Sequence, residues 1–215
     1  MPKAIKERKR VTKRVITIDD IKNVIKAILK KDYERRLKLN FVAMVLFGAY
    51  TGQRPYTIKK LETEQFEKAL EKELPVLLIE AKQDKIRMEH YVPLHPKLIP
   101  FLQAVLKDRE KEKFFEYMAF ENHLKRDLRV RLLRAEELKE EKRHFVIGDL
   151  RKFAEQHGDI IKWDQSNKNY IMTHNVSGID WERYKSPLPE YVYMNYLEAW
   201  KDVDLVPEEA YELLE

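Results

Sequence analysis

The segment over residues 37–50 is almost entirely apolar, and it constrains the fold more than any other part of the chain. From residue 41 to residue 47 every side chain is apolar. A helix that is apolar on all sides must be buried on most of them, so the sequence predicts a central, buried helix. Thr51-Gly52 follow directly, and a glycine just past the last apolar residue commonly ends a helix. We therefore expect one globular domain packed around this helix.

Weaker patterns on either side predict the rest of the domain. Thr17 followed by an acid at Asp20 is typical of a helix start, and apolar residues then recur at helical spacing up to Leu29. Residues 76–79 and 86–92 read as two strands of a hairpin with Lys82 and Lys85 at its tip.

After the hairpin the pattern is helical again. It predicts a helix from Leu98, charged helical sequence to about residue 142, a helix from about Asp149, a polar loop over 164–169 and an aromatic helix over 191–200. We expect an α+β, mainly helical fold with a small antiparallel β-hairpin. The expected organisation is a basic tail or linker stub over residues 1–14 and a single domain over 15–215.

Composition narrows the possible functions. The net charge is +5, and much of the excess lies in residues 1–14, which favours a polyanion as partner or else a solvated tail. The absence of cysteine excludes disulfides, thiol nucleophiles and cysteine-ligated zinc, and the six histidines show no metal-binding spacing. No apolar run reaches membrane-span length and the basic start lacks the apolar core of a secretory signal, so we expect an intracellular protein. A charged fraction of 37% with few glycines hints at a thermophilic source.

The fragment Thr51-Gly52-Gln53-Arg54 places an arginine immediately after the buried helix. A guanidinium held by a rigid element suits phosphate, because its planar fork gives paired and permanently charged hydrogen bonds. The alternative is an arginine that caps a helix or forms a salt bridge.

The order of features downstream resembles that of the tyrosine recombinase (phage integrase) family over about residues 15–200. The segments that carry the resemblance are Thr51-Gly52-Gln53-Arg54, the lysine-tipped hairpin from Lys82 to Arg87, Gly148-Asp149-Leu150-Arg151, and His174 followed by Tyr184. The phrase from His174 to Tyr184 is most similar to archaeal viral and plasmid integrases. The resemblance implies the catalytic domain of a site-specific DNA recombinase that integrates or excises a mobile element.

The resemblance also implies roles for individual residues. Tyr184 would attack the DNA phosphodiester to give a 3′-phosphotyrosyl intermediate, and Arg54 and Arg151 would hold the phosphate oxygens. Lys82, or its competitor Lys85, would protonate the departing oxygen, and His174 would accept the tyrosine proton or brace the phosphate. No metal or other cofactor is expected.

Further basic residues are candidates for contacts to the DNA backbone, although an ordinary solvated surface explains each of them equally well. They are Lys59, Lys60, Lys85, Arg87 and Lys185.

Two positions depart from the family pattern. Gly148 stands where most relatives have histidine or lysine, so either His144 or Lys152 covers that role, or the site works with one group fewer. Thr57 replaces an acid that often follows the first arginine and braces the site. These departures motivate two alternatives to a recombinase: a DNA-binding protein of the same fold that no longer cuts, and a nickase resembling type IB topoisomerases.

Three later tyrosines compete with Tyr184 for the role of nucleophile. Tyr191, Tyr193 and Tyr196 recur with Trp200 at a spacing that is more simply the packing face of a helix, docked on its own core or on a neighbouring subunit. The partners expected are double-stranded DNA and further copies of the chain. We expect a tetramer on two DNA duplexes, and a monomer or weak dimer without DNA. The implied location is the cytoplasm, in association with the nucleoid.

Overall fold

A computed structural model of the chain describes residues 14–109, 111–136, 138–174 and 188–215. They form a mainly helical domain with one small two-stranded antiparallel sheet. In chain order the elements are α1 (Ile18–Leu29), α2 (Arg35–Thr51), α3 (Pro55–Ile58), α4 (Thr63–Leu70), β1 (Val76–Ile79), β2 (His90–Pro93), α5 (Ile99–Lys107), α6 (Tyr117–His123), α7 (Gly148–Ile160), α8 (Gln165–Met172) and α9 (Pro189–Trp200). A π-helical turn (Leu124–Leu128) and two 3₁₀ helices (Glu140–Lys142 and Glu208–Leu214) complete them.

Helix α2 is the centre of the domain, as its apolar sequence predicted. Every residue from Leu39 to Thr51 is buried, and α1, α5 and α7 pack around it. The helix ends at Gly52, whose backbone is left-handed with φ 65°. A Cβ at Gly52 would lie 2.8 Å from Met172 Cε and 3.0 Å from Ala154 Cβ, so α7 and α8 come close to the backbone here. This turn fixes the direction in which Arg54 leaves the core.

Helix α1 begins with the capping box that the sequence predicts, in which the Thr17 side chain accepts from the Asp20 backbone N–H and Asp20 accepts from the Thr17 backbone. The expected boundary between tail and domain needs one correction. Arg14 belongs to the folded domain, because its guanidinium pairs with the buried carboxylate of Asp149 at the start of α7, with Nε 2.7 Å from Oδ1. Residues 1–13 lie outside the described residues.

The two strands pair antiparallel, with Leu77 opposite Val92 and Ile79 opposite His90. The second strand is shorter than predicted, since β2 begins at His90 and not at residue 86. Arg87 has a left-handed backbone, φ 58°, which interrupts an extended strand. Residues 80–89 therefore form a long connection rather than a tight hairpin tip.

The sequence prediction failed in two other places. Residues 109–142 do not continue as helix: α6 and the π-helical turn are followed by irregular chain, which returns to pair Arg131 with His144 in an isolated bridge. Residues 164–169 are not a loop, because they belong to α8 and its cap. The Asp164 side chain caps this helix by accepting from Asn167 N at 2.7 Å.

Helix α9 packs on its own chain, against β2 and α8. Tyr196 and Trp200 are fully buried, and their rings stack on each other with centroids 5.9 Å apart. This confirms the packing face for Tyr193, Tyr196 and Trp200, whereas Tyr191 is exposed. None of the described helices is both long and apolar enough to cross a membrane.

Candidate functional site

Arg54 is presented by the turn between α2 and α3. It caps α3 with an extended backbone, and Pro55 follows at the first helical position. Its half-buried guanidinium reaches the end of α8, where Nη1 donates to Thr173 Oγ1 at 2.7 Å and to the Met172 carbonyl at 3.2 Å.

Arg151 approaches the same place from the first turn of α7. Its Nη1 donates to the Gly52 carbonyl at 2.8 Å and its Nη2 to the Met172 carbonyl at 2.7 Å. One backbone oxygen, that of Met172, thus accepts from both arginines. Two guanidiniums that are far apart in sequence are close neighbours in the fold.

The electrostatic consequence appears in the pKa of Arg151. Burial first, and then the neighbouring charge of Arg54, lower the pKa of Arg151 to about 10, while Glu155 and Asp84 act in the opposite direction. The group remains charged at neutral pH, and two like charges are held together in a partly buried place. An arrangement of this kind stabilises an anion, because a negative charge between the guanidiniums relieves their repulsion.

Thr173 links the arginines to the connection between the strands. It ends α8 in a left-handed conformation, φ 51°, and is buried. Its hydroxyl accepts from Arg54 and donates to Asp84 Oδ1 at 3.4 Å. Asp84 is only 2% exposed although it lies between surface lysines.

His174 follows Thr173 at the same end of α8, with its Nδ1 3.9 Å from Glu155 Oε1. Burial lowers the pKa of His174, and the charges of Arg151 and Arg54 lower it further, while Glu155 opposes them. A histidine with a lowered pKa is neutral at neutral pH, so its ring can accept a proton.

His90 lies behind the arginines at the start of β2. Its ring is buried, with Nδ1 2.9 Å from the Met88 carbonyl and Nε2 3.3 Å from Gln53 Oε1. Burial lowers its pKa, and the charges of Arg151 and Arg54 do so as well. Gln53 also donates to the Ile171 carbonyl at 2.7 Å, so it fixes β2 and α8 to the turn that carries Arg54.

A basic groove adjoins the arginine pair. It has a volume of about 470 Å³ and is lined by Tyr56, Lys60, Lys82, Asp84, Lys85 and Arg87. Asp84 belongs to both the groove and the Thr173 contact, so the groove opens next to the arginines. Lys60 lies over the ring of Tyr56, 4.1 Å from its centroid, and also donates to the Lys82 carbonyl at 3.0 Å.

Lys82 lines this groove but is held in an ion pair in this structure. Its exposed ammonium pairs with Glu80 at 2.8 Å, and this hydrogen bond raises the pKa of Lys82. A raised pKa makes a weaker acid, so Lys82 must leave Glu80 before it can donate a proton readily. Of the basic residues named as candidates for DNA contacts, Lys60, Lys85 and Arg87 line the groove, and Lys59 is not among its lining residues.

Tyr184 and Lys185 lie outside the described residues, and so does the chain from 175 to 187. Of the competing tyrosines, Tyr196 is fully buried and donates to the Tyr50 carbonyl at 3.1 Å, and Tyr193 is buried as well. Tyr191 is 64% exposed on α9.

The structure shows what surrounds Gly148 and Thr57, the two positions that depart from the family pattern. A Cβ at Gly148 would meet nothing within 4 Å, so the start of α7 has room for the side chain that is missing there. Thr57 is fully buried, and its hydroxyl makes no hydrogen bond to any described residue.

Sequence reasoning missed Asp84, Thr173 and Glu155 as parts of the site. The usable signal for Asp84 was a lone acid between Lys82 and Lys85 in a segment expected to bind an anion. An acid there is unfavourable for anion binding unless it has another role. The chain carried no comparable signal for Thr173, whose role depends on the end of a helix that was not predicted.

Within the described ranges, no group of three or more histidine, aspartate or glutamate side chains is placed to hold a metal ion. No protein-family model, curated protein or solved structure matches the chain.

Proposed function

We propose that the protein is a tyrosine site-specific DNA recombinase that cuts and rejoins DNA through a covalent 3′-phosphotyrosyl intermediate. The observation that carries the proposal is the convergence of Arg54 and Arg151 on the Met172 carbonyl. Both arginines lie in the sequence segments that resemble the tyrosine recombinase family. A paired guanidinium site is what stabilises the negative charge that builds on a phosphoryl group during transfer.

The arginines would bind the non-bridging oxygens of the scissile phosphate. A guanidinium carries five N–H donors, and the contacts described for each arginine use some of them. Oxygens of the phosphate would engage further donors or take the place of the Met172 carbonyl. By analogy with other preorganised donors, each arginine would contribute about a hundredfold or more to the rate.

The other residues would handle protons. His174, kept neutral by burial and by the arginines, would accept the proton that Tyr184 loses as it attacks, since a tyrosine titrates near pH 10 and is protonated at neutral pH. Lys82, released from Glu80 when DNA enters the groove, would protonate the departing 5′-oxygen. The aryl phosphate ester would conserve the energy of the phosphodiester, so rejoining would need no nucleotide cofactor.

The basic groove would follow the DNA backbone beside the cleaved linkage. Lys60, Lys85 and Arg87 present positive charge there, and neutralising phosphates makes binding strongly dependent on salt. Recombination would assemble four protomers on two duplexes of a mobile element, in the cytoplasm and on the nucleoid.

A duplex with a nick close to the cleavage site tests the proposal, because loss of a short fragment traps the covalent intermediate. We expect a protein–DNA adduct that is resistant to denaturation, formed in the presence of EDTA and lost in Tyr184→Phe. Tyr191→Phe, which alters an exposed tyrosine on α9, is the matched control and should retain the adduct. An adduct that survives Tyr184→Phe, or complete absence of an adduct on every duplex tried, contradicts the proposal.

A second candidate is a DNA-binding protein of the same architecture that does not cut. It is favoured by the missing side chain at Gly148 and by the Lys82 ammonium, which is paired with Glu80. This candidate predicts salt-dependent binding of duplex DNA by Lys60, Lys85 and Arg87 with no adduct at any nick position.

A further inference from the structure

Asp84 is a buried carboxylate in the connection between β1 and β2, where Gln83 beside it is also buried but the basic residues are exposed. It is 2% exposed, whereas Lys82, Lys85, Ile86 and Arg87 beside it are all on the surface. Removing an ionised carboxylate from water is costly unless hydrogen bonds and opposite charges compensate. The position of Asp84 therefore requires an explanation in terms of its surroundings.

Among the described residues, the hydrogen bonds to its carboxylate come from neutral groups. The Ile86 backbone N–H donates to Oδ2 at 3.2 Å, and the Thr173 hydroxyl donates to Oδ1 at 3.4 Å. The compensating positive charge lies behind Thr173. Glu155 first, and then Asp84, raise the pKa of Arg151, against the effects of burial and of Arg54.

The Thr173 hydroxyl gives this contact a direction. It has a single proton, which it donates to Asp84, and its oxygen accepts from Arg54 Nη1 at 2.7 Å. A hydroxyl polarised by a carboxylate is a better acceptor for a guanidinium, because hydrogen bonds in a chain strengthen one another. Asp84, Thr173 and Arg54 are thus joined by two consecutive hydrogen bonds, which connect the groove to the arginine pair.

Helix α3, which follows Arg54, supplies no carboxylate to these hydrogen bonds. Thr57, one turn after the arginine, is buried, with its hydroxyl unsatisfied among the described residues. The negative charge instead comes from the connection between β1 and β2, the segment that also bears Lys82 and Lys85.

We propose that Asp84 is a positioning residue, which orients Arg54 through the Thr173 hydroxyl and couples the lysine-bearing connection to the arginine pair. The catalytic consequence rests on the proposed function, but the effect on the arginine pair does not. Loss of the Asp84 charge leaves the guanidiniums less compensated, so the site binds a free anion more tightly. It also leaves Arg54 poorly oriented, so the same change slows chemistry.

The competing explanation is that Asp84 only stabilises the turn, through its bond from Ile86. Asparagine makes that turn bond as well as aspartate does. Asp84→Asn keeps the turn bond and removes the charge, so it tests the effect of the charge on the arginine pair. Thr173→Val also leaves the turn bond in place and tests orientation through the hydroxyl.

The first experiment measures the affinity for inorganic phosphate from the rise in unfolding temperature as phosphate is added, at constant ionic strength. We expect Asp84→Asn to bind phosphate at least about threefold more tightly than the unmodified protein, since a nearby negative charge has been removed. The gain should disappear when Arg54→Ala is added. Asp164→Asn, the same substitution at the opposite end of α8, is the matched control and should leave phosphate affinity unchanged. Phosphate binding by Asp84→Asn that is no tighter than in the unmodified protein overturns the proposal.

The second experiment measures the rate of adduct formation on the nicked duplex. Asp84→Asn and Thr173→Val should each slow it by about tenfold or more, and Thr173→Ser, which keeps the hydroxyl, should restore most of the rate. Normal rates in both Asp84→Asn and Thr173→Val also overturn the proposal. If the unmodified protein forms no adduct, the proposed function fails, and the phosphate measurement still decides the role of Asp84.

Discussion

His95 should make the stability of this protein strongly dependent on pH between neutrality and about pH 4. The ring is buried just after β2 and stacks on Tyr50, with centroids 4.0 Å apart. Its Nδ1 accepts from the Lys97 backbone N–H at 3.1 Å, so the proton is on Nε2, which donates to the Trp200 carbonyl at 3.0 Å. These bonds hold the neutral ring between the sheet and the end of α9.

The magnitude follows from the pKa. Burial, the largest cause, and the charge of Lys97 lower the pKa of His95 from 6.5 to about 4, against the hydrogen bond to Trp200 and the charge of Asp204. The unfolded chain takes up a proton below about pH 6.5, while the folded chain does so only near pH 4. Stability is therefore present above about pH 6.5 and is lost as the pH falls to about 4. At about 1.4 kcal/mol per pH unit, the loss amounts to roughly 3 kcal/mol.

Urea denaturation at pH 7.5 and at pH 4.5 measures this loss. His95→Gln cannot take up a proton, so its free energy of unfolding should fall less between the two pH values, by roughly 2–3 kcal/mol, whatever its stability at pH 7.5. His144→Gln is the matched control at a half-exposed position and should keep the pH dependence of the unmodified protein. An equal loss of stability in His95→Gln and in the unmodified protein would refute the reasoning.

Gly52→Ala should lower the free energy of unfolding by roughly 1–3 kcal/mol, because φ is 65° and a neighbouring side chain is too close for a Cβ. Urea denaturation measures this loss, and Gly148→Ala, whose Cβ enters open space, is the control. Equal losses in the two variants would contradict the prediction. Arg54→Ala and Arg151→Ala should each slow adduct formation about a hundredfold or more; undiminished rates would contradict the proposed function. Adduct formation should stay constant on acidification until the pH is below the ordinary histidine range, because His174 has a lowered pKa. A rate that rises in acid, or an acid decrease that persists in His174→Gln, would contradict a base role.

The central helix and the hairpin could be predicted because their signals are local. An apolar run that ends at glycine leaves few alternatives to a buried helix, and α2, from Arg35 to Thr51, contains the whole predicted segment 37–50. A short apolar run predicted β1, and the second extended run predicted β2 apart from its start. The start of β2 was missed because the left-handed backbone of Arg87 has no marker in sequence, since it is not a glycine.

Helix α8 could not be predicted because its stability comes from contacts distant in sequence. Its polar residues looked like a loop, yet Asn167 is buried, accepts from the Trp163 indole at 2.7 Å and donates to the Val192 carbonyl at 3.2 Å. The end of this helix provides the carbonyl that both arginines share. The part of the site that holds the guanidiniums was therefore absent from the sequence prediction.

The sequence by itself determined the buried centre of the fold, the capping of α1 and the packing face of α9, because each depends on residue types within a few positions of one another. The tertiary structure alone decided that Arg54 and Arg151 meet at one carbonyl oxygen and that Asp84 is buried beside them. Burial, charge coupling and the lowered pKa of Arg151 all arise from groups brought together from α2, α7, α8 and the strand connection. The spacing of residues along the chain does not predict the distances between these groups in the folded protein.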